Sequence, residues 1–422
     1  MIVFSRYVVP ILLVSFWMNT SVLAQDRPEG FVPGNLFVHL NEPLVKERQV
    51  EWVNVKTIPG LDVLEVGEME VKTRLAFPGM GMAHILEVRF ASGMPMKEAM
   101  MVFRSSPLVK MVEPVPWVHS SYVPGDLDSL RDYYLPLIGA PDAWDSTRGD
   151  SSVVIAVVDN AVMIGHEDLV KAIWKNPFEI PGDGIDNDGN GWVDDVSGWD
   201  VADDDNNSAP SGRAFRHGTH IAGIIAAASD NGKGSVGLAH DCKILPVKVA
   251  SDAGFADSYP LSDALRGVSY AVATGAPIVC MAWGGTDSVY AAHLLMEEAH
   301  ERGVILVAAA GNGPGDTNPS TNDSTPEYPA SYRAVISVAA TDEIDQKAAF
   351  ATANSRVSLC APGNLLYGPV PSSGLNSSYT RMRGSSQATA VASAAFGLLL
   401  SRRPCFGADA AKQIMFGSCK NI

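Results

Sequence analysis

A turn of small residues with a serine, at positions 384–389, is the first segment of the sequence that suggests a reaction. Ser386 lies where this turn leads into an apolar run with the pattern of the start of a buried helix. Unpaired N–H groups and the helix dipole favour negative charge there, which suits a nucleophile whose attack creates an oxyanion. Small-residue helix starts also occur for packing alone, so catalysis is predicted only if suitable partners are found.

The histidine that best fits a partner is His217, one of nine histidines in the chain. It opens an apolar stretch of helical pattern, in which Gly218 and Gly223 permit close backbone approach. His220 follows three residues later, so a metal site formed by the two histidines is an alternative. The segment lacks the glutamate and the i, i+4 spacing of the zinc-binding His-Glu-x-x-His motif.

An aspartate at a predicted strand end completes the set. Asp159 follows the apolar, β-branched run 153–158. No histidine follows Ser386, which excludes the Ser…Asp…His order of α/β-hydrolases for this serine. The chymotrypsin order occurs on β-barrels. The order Asp159…His217…Ser386 is the third arrangement in which this triad occurs.

The elements that must position these residues alternate between apolar strands and helices. The strands are predicted at 153–158, 244–249, 277–281, 304–309 and 335–339, and the helices at 220–228, 261–274 and 290–302. Continuous apolar runs indicate strands buried on both faces, so we expect an α/β fold with a doubly wound, mostly parallel sheet. Active sites lie at the carboxyl ends of such strands, where we expect Asp159, Asn312 and the segment 282–285.

Four ordered motifs resemble those of the subtilisin-like serine proteases, the subtilases. They are the aspartate segment at 157–162 and 166–169, the histidine segment at 217–223, the oxyanion segment at 309–312 and the serine segment at 384–389. The likeness covers about residues 130–402. It implies that Ser386 is the nucleophile, His217 the general base and Asp159 the residue that orients it. It also implies that Asn312 donates a hydrogen bond to the oxyanion.

The resemblance further implies which residues bind an extended substrate. They are Ala282, Trp283, Gly284, Gly285, Ala309 and Gly311. The chain departs from the usual family residues at Asn160, Ala161, Ala282, Gln387 and Ala390, and none of these changes removes a catalytic group. A catalytically silent peptide-binding relative and an esterase with the same triad stay open as alternatives. No acidic residue is clearly placed by the sequence to select Arg or Lys, so we expect an apolar preference.

An acidic insertion at 174–207 lies between Asp159 and His217. Its Asp-x-Asp-x-Asn-Gly spacing matches the first half of an EF-hand loop, but Ser197 stands where the bidentate glutamate would be. We expect a structural Ca²⁺ ion, and a solvated acidic turn is the alternative. The predicted ligands are Asp186, Asp188, Asn190, the Trp192 carbonyl, Asp194 and Asp195.

The order of segments predicts an exported precursor. Residues 1–24 have the pattern of a signal peptide, and 25–120 resemble the family's inhibitory propeptides, with an α+β, ferredoxin-like pattern. A linker with the maturation site at 121–134 precedes the catalytic domain at 135–422. We expect a secreted, monomeric zymogen, extracellular or periplasmic, which acts on proteins or peptides and is inhibited by its own propeptide. After signal cleavage, we expect no membrane attachment.

Charge and cysteine usage narrow the function classes. A net charge of -16 argues against general nucleic-acid binding. The five cysteines contain no Cys-x-x-Cys pair, which argues against a zinc ribbon or redox motif. Cys405 and Cys419 are the candidates for a C-terminal disulfide in an oxidising compartment.

Overall fold

The computed structural model describes residues 2–3, 31–43, 51–58, 61, 71–77, 80, 82–90, 95–116, 122–253, 261, 263–313 and 324–421. These residues form two units, one within 31–116 and one made of residues 2–3 and 122–421. The predicted signal peptide lies outside the described residues except for the strand β1 (Ile2–Val3). The division into signal peptide, propeptide and catalytic domain stays a prediction.

The first unit is an antiparallel sheet with one helix in its described part. The strands are β2 (Phe31–Leu40), β3 (Val53–Asn54), β4 (Lys72–Leu75), β5 (Ile85–Arg89) and β6 (Val109–Pro116), with the helix α1 (Met96–Arg104) between β5 and β6 and a 3₁₀ turn at Val55–Thr57. Their order is β3-β4-β5-β2-β6. Leu36, Val38 and Phe103 are buried together, so the helix and the interior strand β2 share one core. The predicted α+β class of this unit is confirmed.

Parallel strands form the centre of the second unit. They are β7 (Val154–Asp159), β8 (Trp199–Asp200), β9 (Lys243–Lys248), β10 (Ile278–Met281), β11 (Ile305–Ala309), β12 (Val335–Thr341) and β13 (Leu359–Pro362). Their order is β13-β12-β11-β10-β7-β9-β8, and every adjacent pair is parallel. At the β13 edge, β1 pairs in parallel with β13 and antiparallel with a C-terminal strand at Lys420–Asn421.

Two apolar cores cover the two faces of this sheet, because alternate residues of β7 point to opposite sides. Ile155 and Val157 belong to one core, and Ala156 and Val158 to the other. The helices are α2 (Tyr134–Leu137), α3 (Ala140–Trp144), α4 (His217–Ala226), α5 (Ala264–Ala273), α6 (Tyr290–Glu301), α7 (Ser385–Arg402) and α8 (Ala408–Ser418). Buried residues of α5 and α6 join the core that contains Val158, and those of the other five join the Ile155 core. The predicted doubly wound fold is therefore confirmed.

A β-hairpin that the sequence patterns did not predict packs against α4. It consists of β14 (Leu366–Pro371) and β15 (Ser377–Met382), paired antiparallel. A Cβ on Gly223 would lie 2.0 Å from Pro369 Cδ, so the hairpin and the helix approach as closely as glycine allows. The helix itself begins at His217, three residues before its predicted start, which puts this histidine in the first turn.

The segment 122–131, predicted as part of the linker, is hydrogen-bonded to the second unit. The Tyr122 N–H donates to Asp145 Oδ1 at 2.7 Å, and the Gly125 N–H donates to Asp230 Oδ1 at 2.7 Å. In return, the Asp230 N–H donates to Asp126 Oδ1 at 3.0 Å. These bonds fix the segment at both its start and its middle.

The cysteines do not form the disulfide that the sequence allowed. All five are free thiols, and Cys405 and Cys419 are among them. Cys280 and Cys360 are buried in the sheet, and burial raises the pKa of each thiol to about 12. Both therefore stay protonated and pack as small apolar residues. None of the helices in the described ranges is long and apolar enough to cross a membrane.

Candidate active site

The parallel register brings the predicted catalytic segments to one edge of the sheet. Val157 in β7 is paired with Cys280 in β10, so Asp159 and Ala282 continue these strands at the same level. Met281 is paired with Ala308 in β11, which puts the segment 309–312 beside 282–285. Adjacent strands are about 4.8 Å apart, so side chains from all three strand ends can meet.

The buried carboxylate of Asp159 contacts His217 through both of its oxygens. His217 Nδ1 lies 2.9 Å from both Oδ1 and Oδ2 of Asp159, and Asp159 is 1% exposed. The close approach depends on Gly218, because a Cβ there would lie 2.8 Å from Asp159 Cβ and 2.5 Å from the Ala161 carbonyl oxygen. His217 is half-buried, so its Nε2 edge is accessible for proton transfer.

The Asp159 charge governs the protonation of His217. Burial acts to lower the pKa of this histidine, but the charge of Asp159 and its hydrogen bond act in the opposite direction and prevail. The net result is a His217 pKa above its ordinary value. The carboxylate therefore stabilises the imidazolium that forms when the histidine accepts a proton.

His220 has a separate, structural environment, which argues against the two-histidine metal site. It is buried, and its Nε2 lies 3.2 Å from the Leu366 carbonyl oxygen and 3.3 Å from that of Thr380 in the hairpin. Burial, with a smaller contribution from His217, lowers the pKa of His220 to about 3. A neutral imidazole thus donates to the hairpin and does not share a ligand position with His217.

Asn160, a departure from the usual family residues, connects the Asp159 strand to the start of α4. Its Oδ1 accepts hydrogen bonds from the Ala161 N–H at 2.8 Å and from the Gly218 N–H at 3.0 Å. All three residues are buried. One side-chain oxygen therefore satisfies an amide of the loop and an unpaired amide of the helix N-terminus.

The two serines of the turn have different roles in the structure. Ser386 is half-buried, is the second residue of α7, and donates its Oγ–H to the Ala282 carbonyl oxygen at 2.7 Å. Ser385 is buried, and its Oγ accepts from the Gly311 N–H at 3.2 Å. Ser385 therefore fixes the turn, and Ser386 presents its hydroxyl at the sheet edge. In this rotamer the Ser386 hydroxyl points to a carbonyl oxygen and not to His217.

Asn312 lies directly beside the serine turn. Its Oδ1 accepts from the Ser385 N–H at 2.7 Å, so the Nδ2 group is the part of the exposed amide that can donate to a ligand. Gly384 has a φ of +155°, which residues other than glycine rarely adopt, and a Cβ there would lie 3.0 Å from Gln387 Oε1 and 3.3 Å from Asn312 Nδ2. The amide and the N-terminus of α7 thus provide donors on one side of Ser386.

Gln387 stands where the family usually has methionine, and its side chain is buried at 1% exposure. Neither Nε2 nor Oε1 has a hydrogen-bond partner among the described residues. A buried amide without partners is energetically unfavourable relative to an apolar side chain of similar size. The residue after Ser386 is therefore less favourable for stability than methionine would be.

The predicted substrate-binding residues follow β10 and β11. Trp283 donates its indole N–H to the Val158 carbonyl oxygen at 2.9 Å, which ties this segment to the strand of Asp159. Gly285 has a different partner from the one predicted: it exchanges two backbone hydrogen bonds with Tyr328, of 2.9 and 2.7 Å. Its N–H is therefore not available to a substrate. Ala282, Gly284, Ala309 and Gly311 lie at the sheet edge as expected.

The acidic insertion brings together only part of the predicted calcium ligands. Asp188 and Asp195 form a cluster with Glu179, whose carboxylate oxygens lie within 4.8 Å of theirs. Glu179 was not predicted, because it lies outside the EF-hand spacing that marked the loop. Asn190 is next to the cluster and donates to Asp195 Oδ2 at 3.1 Å.

Two of the predicted ligands instead hold the loop backbone. Asp186 accepts from the N–H groups of Gly189, Asn190 and Gly191, and the bond from Gly191 contributes most to the lowering of its pKa. Asp194 accepts from the N–H groups of Gly182 and Gly184. The Trp192 ring packs against Tyr270, with centroids 4.8 Å apart.

The chemistry of the three-carboxylate cluster fits a hard cation. Glu179 and Asp195 are buried, and no Lys or Arg in the described ranges forms an ion pair with any of the three. Buried carboxylates that lie this close repel each other unless a cation balances their charge. A second acidic cluster, of Asp200, Asp203 and Asp252, already has a cation, because Lys248 Nζ lies 2.6 Å from Asp200 Oδ2 and contacts the other two.

Comparisons with known proteins identify the family of this fold. A sequence profile of the subtilase family matches residues 150–421. Thermitase of Thermoactinomyces vulgaris is 34% identical over 282 residues, which cover 67% of this chain and 86% of thermitase. Subtilisin DY of Bacillus licheniformis is 28% identical over 290 residues, which cover 69% of this chain and 92% of that protein.

A solved structure with the same fold comes from proteases of Pseudoalteromonas arctica, with a TM-score of 0.57 and 23% identity. The alignment covers 71% of this chain and 92% of that one. The matched range contains the seven parallel strands and all the predicted catalytic residues, Asp159, His217, Asn312 and Ser386. The chain therefore belongs to the subtilase family and is a serine endopeptidase that acts on proteins or peptides.

Proposed function

We propose that Asp159, His217 and Ser386 are the catalytic triad of this protease, and that Asn312 supplies the oxyanion donor. The observation that carries the proposal is the contact of His217 Nδ1 with both oxygens of Asp159, each at 2.9 Å. That contact fixes the imidazole with Nε2 directed away from Asp159, as a general base requires. The position of Ser386 also supports the proposal. It lies in the first turn of α7, and its Oγ is 2.7 Å from the carbonyl oxygen of Ala282, which follows β10.

The reaction begins when the Ser386 hydroxyl rotates from Ala282 to His217. Oγ attacks the peptide carbonyl carbon while His217 Nε2 accepts the hydroxyl proton. The carbonyl oxygen becomes an oxyanion, which the Asn312 amide and the N–H groups at the start of α7 stabilise. The C–N bond then breaks as His217 returns the proton to the leaving amine. Water repeats the sequence on the acyl-enzyme, which releases the acid and restores Ser386.

The proposal is tested by labelling the nucleophile with a sulfonyl fluoride. We expect one label per molecule, on Ser386, together with cleavage of casein. Ser386→Ala should abolish both signals. Ser385→Ala is the matched control, because it changes the adjacent hydroxyl and should keep the label on Ser386.

Each of the other outcomes identifies a different function. Labelling without casein cleavage, but with hydrolysis of small esters, would support an esterase. A folded protein that is not labelled and cleaves neither substrate would support a catalytically silent peptide-binding protein. Label on another residue would contradict the assignment of Ser386.

We also propose that the enzyme is made as a secreted zymogen. The support is the signal-peptide pattern at 1–24, which the structure describes only at Ile2 and Val3, and the separate α+β unit that precedes the protease fold. In this proposal the first unit is an inhibitory propeptide. The isolated first unit, added to the mature enzyme, should inhibit it, and a mixture without inhibition would contradict the proposal.

A structural Ca²⁺ ion is proposed at Glu179, Asp188 and Asp195. The support is three carboxylates with oxygens within 4.8 Å of one another and the oxygen-only donor set that calcium prefers. Asp195 also accepts a hydrogen bond from the Tyr270 hydroxyl at 2.8 Å, so an ion there would connect the insertion to α5. When bound, calcium would supply charge balance for these side chains.

A further inference from the structure

A carboxylate lies between the two strand ends that flank Ser386, and it belongs to Glu327. A Cβ on Gly284 would lie 2.7 Å from Glu327 Oε2, and a Cβ on Gly311 would lie 2.3 Å from Glu327 Oε1. Gly284 follows β10 and Gly311 follows β11. The Glu327 carboxylate therefore lies in the slot between these segments, next to space that side chains at positions 284 and 311 would otherwise take.

The backbone around Glu327 holds the carboxylate in this slot. The Tyr328 N–H donates to the Gly285 carbonyl oxygen at 2.7 Å, and the Gly285 N–H donates to the Tyr328 carbonyl oxygen at 2.9 Å. The Ser331 N–H donates to the Glu327 carbonyl oxygen at 2.8 Å. Glu327 thus directly precedes Tyr328, the residue that pairs with the segment that the substrate is expected to follow.

The slot opens beside the nucleophile. Ser386 Oγ contacts the carbonyl oxygen of Ala282, two residues before Gly284. Asn312 follows Gly311 directly and contacts the Ser385 N–H. In the proposed triad, the attacked carbonyl carbon lies at Ser386, next to Ala282, and its oxygen lies at Asn312, next to Gly311. The substrate residue that contributes this carbonyl is therefore the one nearest to both segments, and its side chain is the one that Glu327 can reach.

We propose that Glu327 selects substrates with Lys or Arg immediately before the cleaved bond. The inference rests on the proposed triad, which defines where that bond lies. An ammonium or guanidinium group can form charge-assisted hydrogen bonds with the half-buried carboxylate. An apolar side chain beside the same carboxylate would add no hydrogen bond to it and would reduce its exposure to solvent. This preference differs from the apolar one expected from the sequence.

The test compares peptide anilides that differ only in the residue before the anilide, namely Lys, Arg, Gln, Glu, Leu or Ala. Enzyme concentrations are set by sulfonyl fluoride titration. We expect kcat/KM to be about ten- to a hundredfold higher for Lys and Arg than for Leu. Glu327→Gln should remove the advantage of Lys over Gln, and Glu327→Lys should favour the Glu peptide.

The matched control is Glu298→Gln, which removes an exposed carboxylate of α6 that lies 2.8 Å from Arg302. It should leave the whole substrate profile unchanged. An enzyme that titrates normally but cleaves the Leu peptide as well as the Lys peptide would overturn the inference and leave the triad intact. A preference for Ala, which would mean that the carboxylate fills the slot, would also overturn it. If no serine titrates and no peptide is cleaved, the proposed triad fails, and the inference fails with it.

Discussion

The contact between Asp159 and His217 makes a prediction about the pH dependence of activity. In the proposed triad, only neutral His217 can accept the Ser386 proton, so activity should fall as the pH drops through the pKa of this histidine. Burial lowers that pKa, but the charge of Asp159 outweighs burial and raises it above the ordinary value of about 6.5. The acid limb of kcat/KM should therefore have its midpoint above pH 6.5.

Asp159→Asn tests this account. Without the carboxylate charge, burial and the positive charge of Arg216 remain, and both lower the pKa of His217. The midpoint should therefore move below about pH 6.5, and kcat should fall about 10⁴-fold at neutral pH. Both are measured as pH profiles of kcat/KM with one peptide substrate. A midpoint that stays in place in Asp159→Asn would assign the limb to another group.

Gln387 makes a prediction about stability. Its buried amide has no partner in the described part of the chain, so Gln387→Met should raise the free energy of unfolding by about 1–3 kcal/mol. The measurement is thermal or denaturant unfolding in a Ser386→Ala background, which prevents self-digestion. Gln387→Glu, of equal size but charged, should lower stability. Equal stability of wild type and Gln387→Met would mean that the amide is satisfied in solution.

At the scale of secondary-structure elements, we expect Asn160 to stabilise the junction between β7 and α4. Asn160→Ala leaves the buried N–H groups of Ala161 and Gly218 without their side-chain acceptor, which should cost about 1–3 kcal/mol of stability. Asn160→Asp keeps the Oδ1 acceptor and should retain most of the stability of the wild type. The readout is again unfolding in the Ser386→Ala background. If the two variants lose the same stability, the acceptor is not the reason for the asparagine.

The acidic insertion makes a prediction about calcium. We compare the free energy of unfolding with calcium present at about 100 to 1,000 times its Kd and after calcium has been removed with a chelator. Removal should lower the free energy of unfolding of the wild type by about 2–4 kcal/mol. Glu179→Gln together with Asp195→Asn should remove that response. Asp186→Asn is the control, because Asp186 binds backbone N–H groups outside the cluster, and it should keep the response. Loss of the response only in Asp186→Asn would favour the EF-hand-like ligand set.

The sequence was sufficient to predict five of the seven parallel strands, because these five are buried on both faces, whereas β8 and β13 were not predicted. Runs such as 153–158 and 304–309 are apolar without interruption, so each strand and its edge could be recognised alone. The hairpin of β14 and β15 could not, because β15 is half-exposed and its sequence, Ser-Ser-Tyr-Thr-Arg-Met, lacks a clear alternation. The hairpin could be identified only from the structure, in which it packs against α4.

The limits of prediction at the site have the same physical origin. Asp159 and Ser386 were predicted because their local motifs carry a mechanism. Glu179 and Glu327 have no local motif, since each becomes informative only through what the fold puts beside it: Asp195 in one case, and Gly284 and Gly311 in the other. A single carboxylate whose partners are distant in the sequence is not part of any recognisable residue spacing. A sequence motif therefore cannot identify it.

At the scale of the whole molecule, the anchored segment 122–131 moves the expected maturation site from within 121–134 to the residues just before this segment. Its bonds to Asp145 and Asp230 favour its retention with the protease fold, so the cut should fall between the last strand of the first unit and Tyr122. N-terminal sequencing of the purified mature enzyme should give a start within 117–122. A start after Arg131 would mean that the anchored segment is released.

The same anchored segment bears on how the enzyme is switched on. The stretch 117–121 reads Trp-Val-His-Ser-Ser and contains neither Lys nor Arg. If Glu327 selects basic residues, this enzyme is a poor match for its own activation site, and another protease of different specificity must make the cut. Activity would then be set by an upstream enzyme, as a step in a cascade. A purified precursor that matures unaided would contradict this order of events.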